Sequence, residues 1–181
     1  MKVCCRTLTR VTKSSLENMA LQLSKEGRHS EACEMFEKRV ALSPDNPMIW
    51  NDLGNEYAAA GQFEKAISAL KRGHAAYPDY PLPLYNLGKH TLDRCQEFQN
   101  ASVADQAQVH TMASEAIRYF NACLERDPGN ADCHRNIAIA YRMIRDTEAA
   151  GAHMMEALRL NPELRPPAKG LLGRTLKLLS K

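Results

Sequence analysis

The stretch from Trp50 to Pro78, W-N-D-L-G-N-E-Y-A-A-A-G-Q-F-E-K-A-I-S-A-L-K-R-G-H-A-A-Y-P, constrains this chain more than any other. Trp50, Leu53, Gly54 and Tyr57 recur at i, i+3, i+4 and i+7, one stripe of an α-helix. Gly61 interrupts that helix. Phe63, Ala66, Ile67 and Leu70 then mark a second helix, and Pro78 ends it because a proline ring cannot continue the hydrogen-bond ladder. The spacing predicts two helices folded back on each other, with Gly54 and Ala66 small where the backbones approach. One such hairpin cannot bury its own apolar stripe, so neighbours of the same kind are required.

This hairpin resembles a tetratricopeptide repeat, whose pattern is W-x2-L-G-x2-Y, a helix-contacting Ala and a terminal Pro at a period of 34 residues. The matching residues are Trp50, Leu53, Gly54, Tyr57, Ala66 and Pro78, while Leu70 replaces the family's later aromatic. Pro44 and Pro78 are 34 apart, as are Pro128 and Pro162; Pro78 and Pro128 are 50 apart, one period plus 16. One period upstream stand Leu16, Met19, Ala20, Leu23, Gly27, Ala32, Phe36 and Pro44. Downstream come Leu84, Leu87, Gly88 and Thr91, then, after an interruption, Ala116, Phe120, Cys123 and Pro128. The fourth copy reads His134, Ile137, Ala138, Tyr141, Ala150, Met154, Ala157 and Pro162.

The resemblance implies an all-α, right-handed solenoid of four hairpins, at 13–46, 47–80, 81–130 and 131–164, after a tail at 1–12. Residues 165–181 are expected to add a capping helix, with Leu171, Leu172, Leu176 and Leu179 on one stripe. The sixteen extra residues between Thr91 and Ala116 contain neither Pro nor Gly. They predict that both helices of the third hairpin are longer by about two turns, ~12 Å each. Asn100-Ala101-Ser102 is the expected turn, with Ser102 capping the following helix. Ser14 or Ser15 is expected to cap the first helix, and Pro47 to occupy the first turn of the third.

Apolar residues make up 44% of the chain, which argues against disorder, and aromatics only 6%, which suits packing of Ala and Leu on helices. The 24 basic and 21 acidic residues nearly balance, without a basic run interleaved with aromatics, so charge gives no reason to expect a nucleic-acid partner. No stretch approaches ~20 apolar residues, and no membrane insertion is expected. The N-terminus is basic at Lys2, Arg6 and Arg10 but lacks the apolar core of a secretory signal. It reads as a short lead-in, Cys4-Cys5 included, which makes the cytoplasm the expected location and thiols the expected state of the six cysteines.

Motifs for a nucleophile, a metal or a phosphate-cradling loop are missing from the sequence. Cys123, Cys133 and His134 come nearest to a ligand cluster, but Cys123 and His134 fall at packing positions. No catalytic residue, metal or cofactor is therefore expected.

The stripe through Trp50 faces its partner helix, which leaves the opposite side of each first helix for the inner, concave wall. In register, that wall reads Asn18, Asp52, Asn86 and Asn136. Beside it run Leu21, Asn55, Lys89 and Ile139, and Glu17, Asn51, Tyr85 and Arg135. An amide both donates and accepts, so it grips peptide backbone whatever its sequence, and in the family such asparagines contact bound peptide. The resemblance also raises the family's dicarboxylate clamp, which needs cations where Asn51, Asp132 and Asn136 stand; the clamp is expected to be absent. The expectation is a non-catalytic module that binds an extended or helical segment of a protein partner through Asn18, Asn51, Asp52, Asn55, Tyr85, Asn86, Lys89, Arg135 and Asn136. The alternatives are a secretion-type chaperone and a self-assembling, homo-oligomeric scaffold.

Overall fold

The protein's structure is a computed structural model that describes residues 12–101 and 105–165. Those residues form helices α1 (Lys13–Lys25), α2 (His29–Leu42), α3 (Pro47–Ala59), α4 (Phe63–Ala76), α5 (Leu82–Asn100), α6 (Gln106–Leu124), α7 (Ala131–Met143) and α8 (Thr147–Leu160), followed by a 3-10 turn at Pro162–Leu164. The fold is all-α. The expected capping helix at 168–180 and the Cys4-Cys5 tail lie outside the described residues.

Helix α1 packs on α2, α3 on α4, and α7 on α8; α2 also packs on α3, and α6 on α7. The molecule divides into two compact units, one ending at Arg94 and one beginning at Cys95, so the boundary falls within α5.

In the first unit the stripe read from sequence is the core: Leu16, Ala20, Ala32, Phe36, Leu53, Tyr57, Ala66 and Leu70 are all buried. A Cβ on Gly54 would stand 2.6 Å from Leu70 Cγ and 3.3 Å from the Ala66 carbonyl oxygen. Glycine at this point is therefore what lets α3 and α4 pack at their observed separation. Met19 departs from the pattern. It is 51% exposed, whereas Leu53, its equivalent, is 2% exposed in a core cluster that includes residues of α2. Among the described residues, no earlier hairpin covers the Met19 face.

The turns inside the hairpins repeat a left-handed residue. Gly27 has φ 73°, Gly61 φ 74°, and Arg145, at the same place in the last hairpin, φ 64°. Glycine takes this conformation freely, whereas an arginine there is strained. The helix caps differ in detail from the sequence reading. Thr12, not Ser14 or Ser15, caps α1, and Ser15 completes a reciprocal capping box from inside the helix. Asp105 caps α6 by accepting from Ala107 N–H; Ser102 lies outside the described residues. Pro47 opens α3, as expected, behind the Asn46 cap.

The third hairpin is lengthened. Helices α5 and α6 have 19 residues each, against 13 in α3 and 14 in α4. At 1.5 Å per residue this adds roughly 8–9 Å per helix, somewhat under the two turns expected.

The contact at Gly54 yields a prediction. Leu70 is fully buried and has nowhere to retreat, so Gly54→Ala should destabilise the fold by about 1–3 kcal/mol, through overpacking. Urea unfolding measures this, and an unchanged midpoint would show that the helices do not depend on a bare backbone here.

Candidate functional site

The residues expected on the inner wall fall into two sets, one in each unit. In the first unit, α1 contributes Asn18, α3 contributes Asn51, Asp52 and Asn55, and α5 contributes Tyr85, Asn86 and Lys89. Asn18 is exposed and lines a cavity of about 540 Å3 with Met19, Gln22, Leu23 and Met35. Asp52, Asn55 and Tyr85 are half-buried, and Lys89 is exposed.

Asn51 and Asn86 are buried and bonded to each other, the Asn86 Nδ2 amide donating to Asn51 Oδ1 at 2.7 Å. One turn further along, His90 Nε2–H donates to Asn55 Oδ1 at 3.0 Å, and the other nitrogen of the ring lies 3.7 Å from Asp93. Lys89 Nζ reaches the same carboxylate at 3.2 Å. These bonds tie α3 to α5 side by side. The four residues read as an equivalent ladder are thus not equally presented: Asn18 is exposed, Asp52 partly so, and Asn86 and Asn136 are buried.

Charge on this wall is uneven. Burial pushes the Asp52 carboxyl up; a hydrogen bond from Asn51 works the other way, and the negative charges of Glu17 and Glu56 add to the rise. Glu56 itself accepts from Ser24 Oγ at 2.6 Å and pairs with His29 Nδ1 at 2.9 Å, which pins the first hairpin's turn to α3. Burial also pushes Asp93 up, but the hydrogen bonds and charges of His90 and Lys89 outweigh it and leave the carboxyl below its usual range. The wall therefore offers amides, one strained carboxylate and a lysine already engaged by its neighbour.

In the second unit, α7 carries Arg135 and Asn136. Arg135 pairs with Asp132 at 3.0 Å, and its Nε is buried without a hydrogen-bond partner. Ile139, on the same helix, lines a cleft of about 420 Å3 with Gln96, Gln99, Arg142 and Met143. The sequence reading did not single out Gln96 and Gln99. Their signal was the helical walk from Lys89 through Asp93 to residues 96 and 99, which carries a polar stripe into the lengthened part of α5.

Two family profiles described as tetratricopeptide repeat match residues 23–88 and 113–164. Together they cover more than half of the chain, which belongs to the tetratricopeptide repeat family. Its hairpins are of the kind that serves protein–protein interaction. The chain is 27% identical over 119 residues to the mouse (Mus musculus) BBSome complex member BBS4; the match takes in 65% of this chain and 20% of that protein, so the chain spans about a fifth of its length. Among solved structures, a MamA crystal structure superposes with a TM-score of 0.71 at 19% identity, over 86% of this chain and 81% of that one. MamA from Desulfovibrio magneticus RS-1, solved from residue 41 to its end, gives 0.68 at 18% identity, over 87% and 80%. At these identities the likeness is one of fold.

The buried amide pair carries its own prediction. Asn86→Ala leaves Asn51 Oδ1 buried without its donor and should cost about 1–3 kcal/mol in chemical denaturation. A double change of Asn51 and Asn86 to Leu should recover much of that loss. A neutral Asn86→Ala would mean that the pair is not holding α3 against α5.

Proposed function

We propose that the repeats at 13–46, 47–80, 81–130 and 131–164 act together as a non-catalytic, cytoplasmic protein-binding module. Its ligand is an extended or helical segment of a partner protein, held along the first helices of the hairpins. The observation that carries this reading is the division of labour among the polar side chains of the first unit. Asn51 and Asn86 are consumed in holding α3 to α5, and Asn55 lends its Oδ1 to His90, while Asn18, Asp52, Asn55 and Tyr85 keep exposed surface on α1, α3 and α5. A backbone segment laid across them meets donors and acceptors on three first helices, α1, α3 and α5, two of which the Asn51–Asn86 bond holds at a fixed spacing beforehand. Preorganisation of this kind reduces the ordering cost of binding.

Each amide contact contributes ~0.5–1.5 kcal/mol, so no single residue makes the site and several act together. The Asp52–Glu17–Glu56 neighbourhood disfavours acidic ligands, which agrees with the missing cations of the dicarboxylate clamp.

The test begins with peptides selected from a random display library on the full chain, their affinities measured by fluorescence anisotropy. Asn18→Ala should weaken the selected peptides by roughly 2–10-fold with little loss of stability, whereas Asn55→Ala, which also takes the acceptor from buried His90, should weaken them by a similar factor with a stability loss of about 1–3 kcal/mol. Affinities unchanged in both variants would place binding elsewhere on the molecule.

A further inference from the structure

The last hairpin carries two histidines that stacking does not demand. Counted back from the terminal prolines Pro162 and Pro78, His134 on α7 and His153 on α8 take the places that Trp50 and Ala69 hold in the second hairpin. Their Nδ1 atoms lie 3.1 Å apart, with ring centroids at 5.2 Å. Both rings are half-buried, and Tyr141 stacks on His153 at 5.6 Å. The neighbouring position also changes sign. In the second hairpin the Arg72 guanidinium lies over Trp50 at 5.2 Å; its counterpart in the last hairpin is Glu156, one turn from His153 and within electrostatic reach of His134. A place built for a cation against an aromatic ring has become a place with two imidazoles and a carboxylate.

We propose that His134 and His153 bind one divalent transition-metal ion of the zinc or copper class across α7 and α8. Imidazole suits these ions. At a metal–nitrogen distance of ~2.0–2.1 Å, two ring nitrogens stand about 2.9 Å apart for a right-angled pair and about 3.4 Å apart for a tetrahedral one. The observed separation lies between the two. In the ion-free arrangement one Nδ1–H donates to the other ring's Nδ1. Binding requires the donor ring to carry its proton on Nε2 instead, so that both Nδ1 lone pairs turn to the ion and no proton is lost overall. Glu156 accepts from Arg159 at 2.6 and 2.7 Å and adds negative charge beside the site rather than a ligand bond. Among the described residues no group of three or more His, Cys, Asp or Glu side chains could hold a metal ion, so the two imidazoles are the protein ligands of this site. Water therefore completes the coordination, and the affinity is micromolar rather than nanomolar.

The experiment titrates ZnCl2 into the full chain, stripped with a chelator, at neutral pH, by calorimetry and by NMR of the histidine side chains. The proposal expects one zinc per chain, a raised thermal midpoint, and movement of the His134 and His153 signals among the six histidines. His134→Gln and His153→Gln should each weaken binding by roughly tenfold or more, and Glu156→Gln by less. The NMR readout uses the unaltered protein and so holds even where a variant fails to fold. The site is refuted by the absence of saturable binding below millimolar zinc, by movement of other histidines in place of these two, or by full affinity in the doubly substituted chain.

Discussion

The contact between Gly54 and Leu70 sets the geometry on which the rest of the first unit depends. A side chain at position 54 would force α3 away from α4. That in turn would open the cluster in which Phe36, Val40, Leu53, Tyr57, Ala66 and Ala69 bury one another. Helical hairpins gain their stability from stacking rather than from helix propensity, so the inter-helix spacing decides whether stacking is possible. Left-handed turn residues at Gly27, Gly61 and Arg145 repeat the same reversal in three hairpins, and the strained one is tolerated because the packing of α7 on α8 holds it.

Polar side chains then fix what apolar packing leaves free. Apolar contacts are non-directional and tolerate sliding, whereas the Asn51–Asn86 and Asn55–His90 bonds are satisfied at a single register of α3 against α5. The same helices keep other polar side chains partly exposed, Asp52 on α3 and Tyr85 on α5. In this reading, structural and binding side chains stand next to each other on α3 and α5, and burial distinguishes them.

Much of this was legible in the sequence. The stripe through Trp50, the glycine turn at Gly61, the proline stops and the lengthened third hairpin all follow from periodicity and from the residues that break it. What the register comparison could not show is which residues touch. Equivalent positions on two parallel neighbouring helices point the same way, so the face that one helix offers is met by a different face of the next. Asn51 accordingly pairs with Asn86, one position off the 34-residue step, and Asn55 with His90 rather than with Lys89. The His134–His153 contact was hidden for a related reason, since the pattern assigns each residue a packing role without showing which two rings meet across α7 and α8. The caps at Thr12 and Asp105 were missed because several hydroxyl or acidic residues compete within a turn, and only backbone geometry selects one.

The central claim is that partner segments dock on the first helices of the hairpins, and site-directed photo-crosslinking tests it most directly. A photoreactive residue is placed at Asn55 on α3 and, in a second protein, at the exposed Lys71 on α4. A bound peptide is expected to crosslink from position 55 and not from position 71. Crosslinking from position 71 alone would put the ligand on the second helices and contradict the account.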